Sequence, residues 1–116
     1  MSSSKTYKII ITEYFKKQLK RLLKKDRSLK ENLKNALLTF HKEYETAIGM
    51  GVYKMRLKRE GKGKSGGYRM YVFIMEIEGI LTPICIYPKN EKENLSYAEL
   101  IWHLEKTKEE LQKTFG

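Results

Sequence analysis

Between residues 54 and 69 the chain carries seven cations, Lys54, Arg56, Lys58, Arg59, Lys62, Lys64 and Arg69, against one carboxylate, Glu60. Glycines at 61, 63, 66 and 67 separate the later members of the run. Lysine and arginine at this density are the side chains that grip phosphate, arginine through two parallel N–H bonds and lysine as a point charge. The alternation of Tyr53, Met55 and Leu57 with Lys54, Arg56 and Lys58 predicts a strand with one buried and one cationic face. The glycines would let Lys62 and Lys64 swing over that face, and Arg69 would open the next strand opposite it. Lys89 and Lys92 follow a later strand, at the same end of a meander. Tyr68, Tyr71 and Tyr87 lie among these cations, where aromatic rings could stack on bases. Cations drawn from three separated segments favour phosphate binding over a charged strand edge that merely blunts pairing.

Other chemistries fit less well. GKGKS (61–65) has Lys58 where a phosphate-binding loop of the G-x-x-x-x-G-K-S type needs glycine, and a strand follows it where that loop needs a helix. His41 and His103 are the only histidines and Cys85 is the lone cysteine, which completes no metal-ligand set. No metal and no cofactor is expected, and no local context makes the two histidines an acid–base pair.

The elements that must hold these residues follow from periodicity. YKIII (7–11) reads as a strand ending at Thr12, an N-cap. Phe15, Leu19, Leu22 and Leu23 give a first helix over 13–25. After a break at Asp26-Arg27, Ser28 and Glu31 form a capping box. Leu29, Leu33, Leu37, Phe40 and Tyr44 then carry a second helix to about Thr46. Gly49-Met-Gly51 ends this helical hairpin. Three strands of a meander follow, near 53–58, 68–77 and 80–87, with a turn at Glu78-Gly79 and a bulge expected at Pro83. Ser96 and Glu99 form a second capping box, opening a final helix with Leu100, Leu104 and Leu111. The order βααβββα predicts an α+β domain spanning 1–116, a small antiparallel-rich sheet with a helical hairpin and a C-terminal helix.

The bulk composition agrees. One core is what 116 residues can supply. A net charge of +10 implies a polyanionic partner, nucleic acid or an anionic membrane surface. Membrane insertion is not expected, because the longest apolar stretch is broken by Glu76, Glu78 and Gly79. The N-terminus shows no secretory signal and the single cysteine no disulfide, which places the expected setting in the cytoplasm. A second basic run, residues 16–34, holds nine cations and two anions, Asp26 and Glu31. A nucleic-acid particle touching two sides of the protein would explain it, as would a solvated helix face.

VYKMRLKREGKGKSGGYRMYVF (52–73) and IYPKNEKENLSYAEL (86–100), in the order βααβββα, resemble RelE/HigB-type toxins of bacterial type II toxin–antitoxin systems. The G-K-G-K-S-G-G loop and the Y-x-K-N-E-x-x-N-L-S run point to the HigB-like branch, and the likeness extends from Tyr7 to Leu111. It implies an mRNA interferase that cuts mRNA on the translating ribosome by metal-independent attack of the RNA's own 2′-hydroxyl. It also implies a cognate antitoxin, HigA-like with a helix–turn–helix. Carried over by position, Lys54, Arg56 and Lys58 form the basic strand facing RNA, Arg69 contacts the scissile phosphate, and Lys89 is the lysine after the last strand. Asn90 stands where the prototype has an arginine, and Ser96 where it has a catalytic tyrosine, with Tyr97 one place on. The expected catalytic group is therefore Arg56, Lys58, Arg69 and Lys89, with Lys54, Arg59, Lys62, Lys64, Tyr87 and Lys92 binding RNA. Lys54, Lys58 and Lys89 are all candidates for proton transfer. The rival readings are a non-catalytic RNA- or ribosome-binding module on the same fold, and a DNA-binding regulator, which lacks a helix–turn–helix.

Overall fold

The computed structural model describes residues 6–59 and 66–115. Lys8–Ile9 (β1) leads into helices Glu13–Leu23 (α1) and Leu29–Leu38 (α2), and a 3-10 turn follows at Lys42–Tyr44. Strands Thr46–Gly49 (β2), Val52–Leu57 (β3), Tyr68–Met75 (β4) and Ile80–Pro88 (β5) come next, then helix Tyr97–Phe115 (α3). The strands form one sheet in the order β1-β5-β4-β3-β2, antiparallel except where β1 runs parallel to β5. The fold is α+β, as the periodicity predicted.

Strict alternation along the central strands divides the core in two. Met55, Leu57, Tyr68, Met70, Val72 and Ile74 face α1 and α2, meeting Phe15, Leu19, Leu29, Leu33 and Leu37. Val52, Tyr71, Phe73, Ile84, Cys85 and Tyr87 face the other way, beneath Leu100, Leu104 and Leu111 of α3. Ile84 and Cys85 are sequence neighbours, yet both join this second cluster. The register slips there: Tyr71 pairs with Cys85 and Val72 with Pro83, a bulge beside the residue that has no N–H to donate. Past Leu81, β5 lacks a paired strand on its β1 side. Gln18 of α1 takes that place, donating to the Ile84 carbonyl (3.0 Å) and accepting from the Ile86 N–H (3.2 Å). An amide side chain thus shields an open strand edge.

Thr12 caps α1 as expected, its hydroxyl accepting from the Phe15 N–H at 3.0 Å. Ser96 and Glu99 form the second capping box, with reciprocal bonds of 2.8 and 3.1 Å. Ser28 does not form the first one. Its backbone is already helical, and its hydroxyl and N–H both turn back to Asp26 Oδ1. The second helix also stops at Leu38 rather than near Thr46. The Thr39 hydroxyl bonds the Asn35 carbonyl, and the chain turns so that Phe40 enters the core while Tyr44 is exposed. The stretch expected to be helical ends in an unforeseen edge strand, β2, joined to β3 through Gly49 (φ 110°), Met50 (φ 58°) and Gly51 (φ 81°). Among the described residues no helix is long and apolar enough to cross a membrane.

Candidate nucleic-acid interface

The cationic face is built row by row across three strands. Arg56 of β3 pairs in register with Arg69 of β4, which pairs with Tyr87 of β5. One row along, Lys54 pairs with Tyr71 and Tyr71 with Cys85. The hairpin thus places Arg69 opposite Arg56, as the alternation predicted. Lys58 lies just beyond the end of β3, exposed, with its carbonyl accepting from Asn32 at 3.3 Å. Lys89 is held at the same end of the sheet, its N–H donating to the Gly67 carbonyl at 2.8 Å. Gly67 is required there: a Cβ would lie 2.4 Å from the Leu57 carbonyl oxygen. Glu60, Gly61, Lys62, Gly63 and Lys64 lie outside the described residues.

The loop between β5 and α3 lies over this face and is fastened to it along its length. Lys54 donates to Asn94 Oδ1 at 2.7 Å, and the Leu95 N–H donates to the Tyr71 hydroxyl at 3.2 Å. Lys92 ion-pairs with Glu99, and its ammonium lies 5.9 Å from the centre of the Tyr87 ring. That partner raises the Lys92 pKa, and the ammonium in turn holds the Glu99 carboxyl down to about 2. Between these anchors, Glu93 Oε1 accepts from Arg69 Nη2 at 3.1 Å. The pair is lopsided, since the Arg69 side chain is 4% exposed and the Glu93 side chain 81%.

Arg69 is therefore not a free guanidinium at the mouth of a strand. Its Nε is buried and has no hydrogen-bond partner among the described residues, and the same is true of the Tyr87 hydroxyl in the same row. Burial, with Tyr71 beside it, pushes the Tyr87 pKa up. Tyr71 and Tyr87 stack on each other at 6.3 Å, and both are more than nine-tenths buried, so neither offers an open ring face to a base. Tyr68 points the opposite way, its hydroxyl donating to Asp26 at 2.9 Å, and takes no part in the cationic face. Arg59 turns the same way, its Nε 3.5 Å from Asp26 and its Nη2 donating to the Lys25 carbonyl at 3.3 Å. The open cations of the face are thus Arg56 and Lys58, with Lys54, Lys89 and Lys92 at its margin.

The residues that periodicity did not single out are the acidic and amide partners. Asp26 is 8% exposed and gathers Ser28, Tyr68 and Arg59. Burial alone would raise its pKa, but the bonds from Ser28 and Tyr68 outweigh that and hold it below the usual carboxylate range. The D-x-S spacing of an Asx turn was the available signal. Glu93 carried no such signal. The nine cations of residues 16–34 are all exposed, on the two helices that cover the opposite side of the sheet and in the break between them. Among the described residues no group of three His, Cys, Asp or Glu side chains could hold a metal ion.

Residues 8–114 match the family model described as the RelE toxin of the RelE / RelB toxin–antitoxin system. Among solved structures, the free state of an Escherichia coli toxin RelE mutant with two arginines replaced by alanine aligns with a TM-score of 0.55 and 20% identity. The alignment covers 83% of this chain and 95% of that one. No curated protein sequence matches this chain significantly.

Proposed function

The chain belongs to the RelE toxin family, and from that premise we propose that it is an mRNA interferase, a metal-independent endoribonuclease that cuts mRNA on the translating ribosome. The observation that carries this reading is the row Arg56–Arg69–Tyr87, with Lys54, Lys58 and Lys89 around it, on the α3 face of the sheet at the end crossed by the loop from β5 to α3. Cleavage through the neighbouring 2′-hydroxyl needs no metal and no protein nucleophile. Negative charge grows on the non-bridging oxygens in the transition state, and fixed cations lower that barrier. Arg56 and Lys89 reach the phosphate directly. Arg69 adds its charge from beneath, where water is excluded and screening is weak. Lys62 and Lys64, on the glycine-rich loop, bind the flanking RNA with Lys54, Lys58 and Lys92.

The exposed cations on α1 and α2 serve a second polyanionic surface, and a ribosomal cleft offers two walls at once. The ribosome would also align the RNA strand, supplying the orientation that a shallow open face cannot. The GKGKSGG loop favours the HigB-like branch, and hence an antitoxin with a helix–turn–helix that silences the toxin in the cytoplasm.

Synthetic mRNA mixed with the protein, with and without translating ribosomes, tests the proposal. New 5′ ends with hydroxyl termini are expected only when ribosomes translate. Retention of RNA or ribosomes without new ends would make the protein a binding module on a toxin fold.

A further inference from the structure

Among the described residues, one exposed carboxylate, Glu93, bonds the central cation of this face, and the proposed reaction has a use for it. Attack by a 2′-hydroxyl requires an acceptor for its proton. A lysine ammonium has three donors and no acceptor, so the cations of the face cannot serve without first losing a proton. Lys54 is already donating to Asn94, and Lys92 is held in its charged form by Glu99. Glu91, Glu93 and Glu99 are the carboxylates of this loop and the helix start. Glu99 is taken by Lys92 and the Ser96 N–H, and only Glu93 bonds a cation of the strand rows.

Resting on the function proposed above, we infer that Glu93 is the proton acceptor, a catalytic residue, and that Arg69 is its positioning residue. Arg69 grips one carboxylate oxygen, Oε1, from a buried site. The rest of the Glu93 side chain stands in solvent, and the Arg69 that holds it has the exposed Arg56 opposite it in the ladder. The loop around Glu93 is pinned on both sides, by Lys92 to Glu99 and by Asn94 to Lys54, then by Leu95 to Tyr71. That restraint suits a group held ready at a fixed place. A lid that swings off Arg69 would have to break these contacts first.

The step balances as an internal transfer. The 2′-oxygen forms a bond to phosphorus as its proton passes to the Glu93 carboxylate. The bond from phosphorus to the 5′-oxygen breaks, that oxygen leaves with the bonding pair, and it takes a proton from water. The products are a 2′,3′-cyclic phosphate and a 5′-hydroxyl, and Glu93 returns its proton to solvent.

Glu93→Gln is the informative change, because the amide oxygen still accepts from Arg69 while the basic oxygen is gone. Single-turnover cleavage of mRNA on programmed ribosomes should fall by about a hundredfold or more. Ribosome binding should persist, and the acid limb of the pH–rate profile should flatten. Glu93→Ala should regain rate when formate is added, an effect that a merely misfolded variant would not show. Cleavage by Glu93→Gln at the wild-type rate or faster, with tighter RNA binding, would overturn the inference. Glu93 would then be a competitor that occupies Arg69 until phosphate displaces it. Intact mRNA with wild-type protein on translating ribosomes would instead remove the proposed function, and this assignment with it.

Discussion

Replacing Arg69 by methionine should leave the protein as stable as before or more stable, while removing its activity. The side chain is 4% exposed, and among the described residues its Nε has no partner and its one ion pair reaches a carboxylate that stands in solvent. An unsatisfied buried polar group costs about 1–3 kcal/mol. Arg56 lies directly opposite, and like charges in that position are destabilising. The contact with an exposed carboxylate returns only about 0–1 kcal/mol. Exchange of a buried ionic side chain for an apolar one of similar length is often neutral or stabilising. The sum predicts a gain between about 0 and 3 kcal/mol, or up to ~12 °C at about 4 °C per kcal/mol for a domain of this size. Thermal unfolding by circular dichroism reads the first half. Single-turnover cleavage on programmed ribosomes reads the second, where a loss of about a hundredfold or more is expected. If Arg69 acts through Glu93, adding Glu93→Gln to Arg69→Met should cost little further rate. A fall in melting temperature of more than ~8 °C would refute the reasoning, because it would mean the guanidinium is well satisfied and holds the sheet together.

Two further changes probe what holds the site in place. Asp26→Asn should cost about 1–3 kcal/mol at neutral pH, since it weakens the bonds from Ser28, Tyr68 and Arg59 to a charged acceptor. Because the folded pKa lies below the ordinary value, that contribution is full above about pH 4 and fades as the pH falls through the lower folded value. Urea midpoints at pH 7 and pH 3 should therefore show a gap that closes in acid, and a gap of constant size would contradict this origin. Gly67→Ala would set a Cβ 2.4 Å from the Leu57 carbonyl, so the start of β4 must move away from the end of β3. A loss of about 1–3 kcal/mol is expected by denaturant titration, and an unchanged midpoint would show that the approach relaxes freely.

The legible parts of the fold were those that periodicity dictates. A strand that buries every second residue writes its face into the sequence, so Lys54 and Arg56 could be placed on one side and Met55 and Leu57 on the other. A hairpin between two such strands then fixes Arg69 opposite Arg56. Capping at Thr12 and at Ser96 was legible because each hydroxyl meets the backbone N–H three residues on. The end of α2 was not, since Phe40 and Tyr44 continue the helical spacing and only the turn after Thr39 reveals that they leave it. The four exposed residues of β2 bury nothing, and so had no pattern to read. The Glu93–Arg69 contact joins residues 24 apart across a loop whose path no local rule specifies. What remained hidden was also what decides access: sequence showed where the guanidinium starts but not that a carboxylate covers it.

Cys85 is the only cysteine in the chain, and it sits 4% exposed in the sheet layer under α3. Burial pushes its thiol up to about 12, so at neutral pH it is neither accessible nor in the nucleophilic thiolate form. A thiol reagent can therefore reach it only through an opening of the structure. Alkylation at one site then becomes a clock for that opening, with no second cysteine to confuse the count. When labelling is fast relative to reclosing, its rate equals the rate at which the layer parts; when it is slow, the rate gives the opening free energy. Comparison with the global unfolding rate separates lifting of α3 from rupture of the whole sheet. The protein thus carries its own reporter, beneath the helix beside its cationic face.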